Sequence, residues 1–448
     1  MDRLYSSPVS DAKLEGTPTP IGRESLVEQD FLIGARHWAG IALASFVLTS
    51  TAGALALVGV TLLLRALPSN EAGNFALVVA LLEILALVGN LGFLGIVTRL
   101  YGAATPDTFD WLVDLAATAA YAAVPLALGV AAISAIYELP PDLLAFLLLG
   151  SILVVVLNTG CYMLSAHGHY IWASLLLRLP GALLVVPGSI AFFSERGMRL
   201  ESVLIIYSIG ILLTLGGLVV LLVRRLRRGS GRIHRPQRME GIVFLASYAT
   251  TYLPDQGVTA IAGALLPPER LAIYAAMAVF ARPFKLAASI LTMVMTPELV
   301  RRKQAQYRNL SLGVWGLALV GCVGTALIAP AIARWIYGGR YDEGLGILPL
   351  LACAGALQLT VVLPKSDLAG RAPIALLRRL VYLLAGVLGV ATAASALLIV
   401  RFGVFGVGVA AVSLQSVRNL ANYSVWRGYR RARAPCPPET TVSRAQDS

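Results

Sequence analysis

The chain has 448 residues, 57% of them hydrophobic and only 13% charged, with a mean hydropathy of +0.76 and a net charge of +12. A soluble domain carries about a quarter charged residues, so this chain lacks the polar skin that a water-soluble fold needs. The positive charge sits in loops between apolar runs, which points to membrane orientation and anionic lipid headgroups rather than to nucleic acid.

The first 36 residues are polar, and the apolar run after them is too long for a signal peptide, so it reads as an uncleaved first helix. From there the apolar runs are long enough to cross a roughly 30 Å hydrocarbon layer as helices. Stretches such as Leu143–Leu157 lack the alternation of a transmembrane β-barrel. Twelve spans are predicted: Trp38–Leu64, Gly73–Thr98, Trp111–Ile136, Leu143–Ser165, Tyr170–Phe193 and Ser202–Val223, then Gly241–Leu265, Leu271–Leu299, Leu310–Ile336, Gly344–Leu363, Arg379–Val400 and Gly403–Trp426. Pro or Gly pairs mark many joints, among them Pro140-Pro141, Pro267-Pro268 and Gly338-Gly339. With a cytoplasmic N-terminus, 25 Lys and Arg fall in cytoplasmic segments and 6 in outer loops. That skew follows the positive-inside rule and places both termini in the cytoplasm. All six Trp lie near predicted helix ends, as an interfacial belt requires.

The halves resemble each other. Leu67-Pro68 and Phe75-Ala76 recur as Leu266-Pro267 and Tyr274-Ala275 at an offset of 199, and Ile136-Tyr137 and Asp142 recur as Ile336-Tyr337 and Asp342 at 200. The expected fold is all-α, with two pseudo-symmetric six-helix lobes around a central cavity. Segment 1–36 is cytoplasmic, 37–223 the N-lobe, 224–240 a basic cytoplasmic linker, 241–431 the C-lobe and 432–448 a disordered tail. Each repeat holds an even number of spans, so the repeats are parallel. That is an arrangement of alternating-access transporters with a substrate site near the midplane.

No Walker A loop, dinucleotide fingerprint or HExxH is present, and no cofactor is expected. His167-Gly168-His169 lacks the further ligands of a metal site. Cys161, Cys322, Cys353 and Cys436 show no pairing or metal spacing. The outer loops are too short for an enzyme acting on sugars there, so a transporter rather than an enzyme is expected.

The informative residues are charges inside spans, each costing upward of roughly 2.5 kcal/mol without a partner or a wet cavity. They are Arg178, Arg282, Lys285, Arg334 and Arg418 against Glu83 and Asp255. Arg334 is near an outer end and snorkels. For Arg178 and Arg418, snorkelling and structural pairing both stay open. Gln415, Arg418, Asn419 and Asn422 form a polar stripe at helical spacing, the mark of a cavity face. Arg282 and Lys285 are deep and share one helix face, and Pro283 between them predicts a kink. Pro254-Asp255-Gln256-Gly257 predicts a broken helix at depth. Without Arg334 the deep set is four basic to two acidic, which suits an anionic substrate. Arg282, Lys285, Arg178 and Arg418 are therefore candidate substrate ligands, and for Arg282 and Lys285 a structural bridge to Glu83 or Asp255 is the alternative. Glu83 and Asp255 are candidates for gating or ion coupling, with a structural bridge equally open. Glu83 and Arg282 are repeat equivalents of opposite sign, so they are expected to approach across the lobe interface in at least one state.

Several segments carry a family resemblance. Leu67-Pro68-Ser69-Asn70-Glu71-Ala72-Gly73-Asn74-Phe75-Ala76 resembles the "LGPxxxGxFA" junction of polysaccharide-type flippases, and Gly89-Asn90-Leu91-Gly92 with Thr98-Arg99 resembles their "DLGxxxxxxR" helix end. Asp255, Leu266-Pro267 and Ile273-Tyr274-Ala275-Ala276 resemble "D…LGPxxxGxYAAA", and Pro297-Glu298-Leu299 the closing "PxL". Phe402-Gly403-Val404-Phe405-Gly406-Val407-Gly408 resembles "YGxxGAA". The resemblance runs from about Trp38 to Arg431, with Ala272 and Asn90 departing from the pattern. The family is the Wzx-type branch of the multidrug/oligosaccharidyl-lipid/polysaccharide exporters. It implies flipping of a polyprenyl-diphosphate-linked oligosaccharide to the outer leaflet of the bacterial cytoplasmic membrane, with a polysaccharide polymerase and chain-length machinery as partners. The alternatives are a drug/cation antiporter of the same superfamily, expected to have an acid-dominated cavity, and a peptidoglycan-precursor flippase with about two more helices. From the enzyme class comes a membrane glycan polymerase or ligase.

Overall fold

The computed structural model describes residues 47–103, 109–193, 197–226, 253–301 and 307–433, with isolated positions between 229 and 245. Within these, only the backbone is described at 98–99, 102–103, 290, 293–301, 307–309, 369–371, 374, 377 and 432–433. The N-terminal segment, Trp38, the side chains of Thr98, Arg99, Pro297, Glu298 and Leu299, most of the basic linker, the tail and Cys436 lie outside the described residues.

Among the described residues the chain is helical throughout, with ten segments long and apolar enough to cross a membrane. They are α1 (Val47–Ala66), α2 (Ser69–Gly89), α3 (Trp111–Tyr137), α4 (Pro141–Ala166), α5 (Tyr170–Phe193) and α6 (Leu200–Arg225), then α8 (Pro268–Ser289), α9 (Leu310–Tyr337), α10 (Asp342–Leu368) and Arg378–Arg431. The last is two helices, α11 (374–402) and α12 (404–433), which meet at Gly403 with φ 58° and ψ −134°. Only glycine adopts that conformation without strain, so the helix break falls where the Phe402-Gly403 motif placed it. The described part of the seventh span is α7 (Val258–Leu265), entered through a π-helical turn at Leu253–Gly257. With α11 and α12 taken apart, eleven of the twelve predicted spans are matched among the described residues, and of the seventh only 253–265 is described as continuous chain.

The repeat is visible in backbone geometry. Pro68 and Pro267 are helix N-caps with φ/ψ of −53°/151° and −63°/151°. Each fixes φ and removes an amide that would have no helical partner. The helices they start, α2 and α8, cross at closest approach where Gly73 meets the Pro268 backbone: a Cβ on Gly73 would stand 1.9 Å from the Pro268 carbonyl oxygen. Backbones approach this closely in lipid only through residues without a side chain. One apolar core runs across both halves there, with Ala72 and Phe75 of α2 and Leu271, Ala272 and Ala276 of α8 all buried.

Two ends of the bundle follow from the connections. At the Arg65 end, α1–α2, α3–α4, α5–α6, α7–α8, α9–α10 and α11–α12 join. At the opposite end, near Arg225, a short bridge ties the linker to the α2–α3 loop. There Asp110 N–H donates to Gly231 O at 2.9 Å and Gly229 N–H to Phe109 O at 3.1 Å. Fully buried Asp114 accepts from Tyr101 Oη at 3.0 Å and from Ile233 N–H at 3.2 Å. His167 sits edge-on to Tyr101 in the same corner.

Two expectations are corrected. Trp111 and Trp426 do not face the lipid interface; they are 3% and 6% exposed. Trp426 is turned inward because its indole N–H donates to buried Asp367 at 2.7 Å. The tenth span also runs beyond Leu363, because Lys365 continues the helical bonding through its N–H to Val361 O.

Candidate functional site

The π-helical turn at Leu253–Gly257 lifts Asp255 and Gln256 out of regular helical register, as the Pro-Asp-Gln-Gly run predicts. Asp255 lies ten residues before the end of α7, roughly 15 Å below the Arg65 end at helical rise. Glu83, fourteen residues into α2, is about 21 Å from the same end. Both are at hydrocarbon depth.

Lys285 of α8 joins them. Its Nζ lies 3.6 Å from Glu83 Oε2 and 3.6 Å from Asp255 Oδ2, so one ammonium holds a carboxylate from each half. Amides complete the arrangement: Gln256 Nε2 donates to Glu83 Oε2, and Gln358 Nε2 and Gln415 Nε2 donate to Asp255 Oδ1, the last at 2.7 Å. The Lys285 and Glu83 side chains are still 38% and 41% accessible and Asp255 16%. The bridge is therefore not sealed in the core, and Lys285 and Glu83 stay reachable from outside the packed helices.

Arg282 lies on the same face one turn earlier. A 3-10 turn at Val279–Ala281 precedes it, which accommodates Pro283 at the start of the next helical stretch. Arg282 is exposed and makes no ion pair or hydrogen bond among the described residues. In this conformation Glu83 is paired with Lys285 and, among the described residues, not with Arg282.

Behind Asp255 the polar stripe of α12 packs inward: Gln415, Arg418, Asn419 and Asn422 are 2–7% exposed. Asn419 Nδ2 donates to Leu357 O at 2.7 Å and Thr360 Oγ1 at 2.8 Å. Arg418 and Lys365 both interact electrostatically with Asp255. Among the described residues the side-chain carbonyl oxygens of Gln415 and Asn419 are buried without a hydrogen-bond donor, so this region is polar beyond what those residues satisfy.

The candidates thus divide. Glu83, Asp255 and Lys285 are in contact, Arg282 and Arg418 flank them, and Arg178 is half-buried on α5 with no ion pair or hydrogen bond among the described residues. Arg334 lies 3.9 Å from Asp342 near the Arg65 end, as a shallow residue should. Gln256, Gln358 and Lys365 were not among the sequence candidates. Gln256 was legible as Asp255's neighbour in the broken turn, whereas Lys365 was hidden by the underestimated length of α10. Among the described residues no cluster of metal-ligating side chains occurs.

No family model and no curated protein matches the chain. Solved structures do. An inward-facing multidrug resistance MATE family transporter of the MOP superfamily aligns with a TM-score of 0.62 at 14% identity, covering 87% of this chain and 98% of that one. Lipid II flippase MurJ in an inward closed conformation aligns at 0.65 and 12% identity, covering 86% and 87%. An outward-facing MATE family transporter aligns at 0.59 and 14%, covering 87% and 94%. The chain shares the fold of these solved transporters.

Proposed function

We propose that this protein is a flippase that carries a polyprenyl-diphosphate-linked oligosaccharide from the cytoplasmic to the outer leaflet of a bacterial cytoplasmic membrane, with both termini cytoplasmic. One observation carries the reading. Two cations share a face of α8 at mid-depth: Lys285 bridges carboxylates of opposite halves, and Arg282 beside it has no ion pair among the described residues. A diphosphate entering a cleft between the halves engages Arg282 and competes with Glu83 and Asp255 for Lys285. Release of Glu83 then removes an ionic tie between the halves, so substrate binding and rearrangement are coupled through one ammonium. Arg178, Arg418 and Lys365 add to the positive field, and five cations against three carboxylates, with Asp367 counted beside Lys365, disfavour a cationic drug. The lipid tail stays in the bilayer while the glycan crosses the polar cleft. A polymerase and chain-length machinery would act on the product at the outer face.

The test is the fate of lipid-linked glycan in cells. Arginine grips phosphate through two parallel N–H bonds, whereas lysine acts as a point charge. Arg282→Lys should therefore impair transport more than Lys285→Arg. The Arg282→Ala, Lys285→Ala double variant should accumulate lipid-linked glycan at the inner leaflet and lose surface polysaccharide while staying inserted. Normal surface polysaccharide from that variant, well expressed, would overturn the phosphate-binding role.

A further inference from the structure

At the Arg65 end the halves exchange arginines. Arg65, in the last turn of α1, donates through Nη1 to Ile336 O in the last turn of α9. Arg340, just past α9, donates through Nη1 to Arg65 O at 2.9 Å, and through Nη2 and Nε to Ser69 Oγ at 2.9 and 3.3 Å. Tyr341 Oη donates to Leu64 O at 2.9 Å. Arg65 is braced from its own half, its guanidinium lying 4.5 Å from the Phe192 ring centroid.

The chemistry is specific to helix ends. The last four carbonyls of a helix have no partner within it, and the partial negative charge there favours a cation. Each arginine supplies both to the helix of the opposite half. The bonds join residues 271 to 277 positions apart, so every one of them breaks if the halves part at this end.

The arrangement is also one-sided. By the repeat offsets, Arg65 corresponds to Ala264 and Arg340 to Pro140, neither of which can donate a side-chain bond. On that side, among the described residues, the halves share a tyrosine hydrogen bond, Tyr137 Oη to Ala260 O at 2.8 Å, and no arginine bond.

We propose that Arg65 and Arg340 form a latch that holds the halves together at this end. Its one-sidedness makes the Tyr137–Ala260 side the pivot about which they part. The latch lies far from the central cations, and it sets which state of the empty carrier is populated whatever the substrate is.

The experiment measures spin-label distances in the full-length protein in lipid nanodiscs. The labels are carried on Glu201→Cys and Arg401→Cys, exposed sites of the two halves at this end, with the four native cysteines replaced by alanine. The parent should show mainly the short distance. The Arg65→Ala, Arg340→Ala variant should raise the ratio of long to short distances at least tenfold. The control is Arg270→Ala, which removes the exposed 2.8 Å Arg270–Glu343 pair within one half and should leave the distribution unchanged. If the arginine variant does not fold, Ser69→Ala with Tyr341→Phe deletes two of the partners and keeps both arginines; the expected rise is then at least threefold. An unchanged distribution in the folded variant, or an equal shift in Arg270→Ala, overturns the latch.

Discussion

Gly73→Ala is the sharpest test of how the halves pack. The added Cβ would stand 1.9 Å from Pro268 O, 2.6 Å from Pro268 C and 2.9 Å from Pro268 Cα. All three are backbone atoms, so no rotamer change can yield. A carbon–oxygen contact settles near 3.3 Å, which requires α2 and α8 to separate by roughly 1.4 Å if they move directly apart. Overpacking of a fitted core costs about 1–3 kcal/mol, and a backbone-to-backbone clash belongs at the upper end. With an unfolding entropy of about 2.1 cal/mol/K per residue, that is a fall of roughly 3 °C in the midpoint of thermal unfolding for a chain of this size. The assay is intrinsic tryptophan fluorescence of the detergent-purified protein on heating. Gly216→Ala is the control: that glycine is helical with nothing within 4 Å of the added carbon. Alanine there should be neutral or stabilising by up to about 1 kcal/mol. If Gly73→Ala melts with the parent while Gly216→Ala behaves as expected, the halves do not touch through Gly73 and the crossing geometry is wrong.

Two further predictions concern the Arg225 end. Asp114→Asn weakens both bonds that the buried carboxylate accepts from Tyr101 and Ile233; a charged acceptor is worth about 1.5–3 kcal/mol per bond, so tryptic cleavage between residues 227 and 238 should accelerate several-fold, and an unchanged rate would show that the linker is held otherwise. Burial first, then the charges of Arg225 and His167, holds the His169 imidazole below its ordinary value. The unfolded chain therefore binds this proton more readily than the native one, and His169's neutral form favours the fold above the unfolded value near 6.5. Stability should then fall as the pH drops below about 6.5 toward the lowered native value, and His169→Gln should flatten that slope; identical pH profiles for parent and variant would contradict it.

The sequence by itself determined the membrane-spanning helices, their number and their repeat. Hydrocarbon thickness sets a length for each apolar run, and backbone groups in lipid have no partner but their own helix, so these are local consequences of composition. The broken turn at Asp255 and the break at Gly403 were legible for the same reason: proline and glycine act on the backbone where they stand. The helix-sharing of Arg282 and Lys285 followed from spacing alone. Which of the two meets Glu83 did not, because repeat symmetry pairs Glu83 with Arg282 while in the folded chain Lys285 is the bridge. Gln358, Lys365 and Arg418 converge on Asp255 from helices a hundred or more residues away, and Arg65 reaches Ile336 across 271 positions. Nothing local constrains such pairings. They are set by how close the backbones come in the packed bundle, as Gly73 of α2 lying against Pro268 of α8 shows for one crossing between the halves.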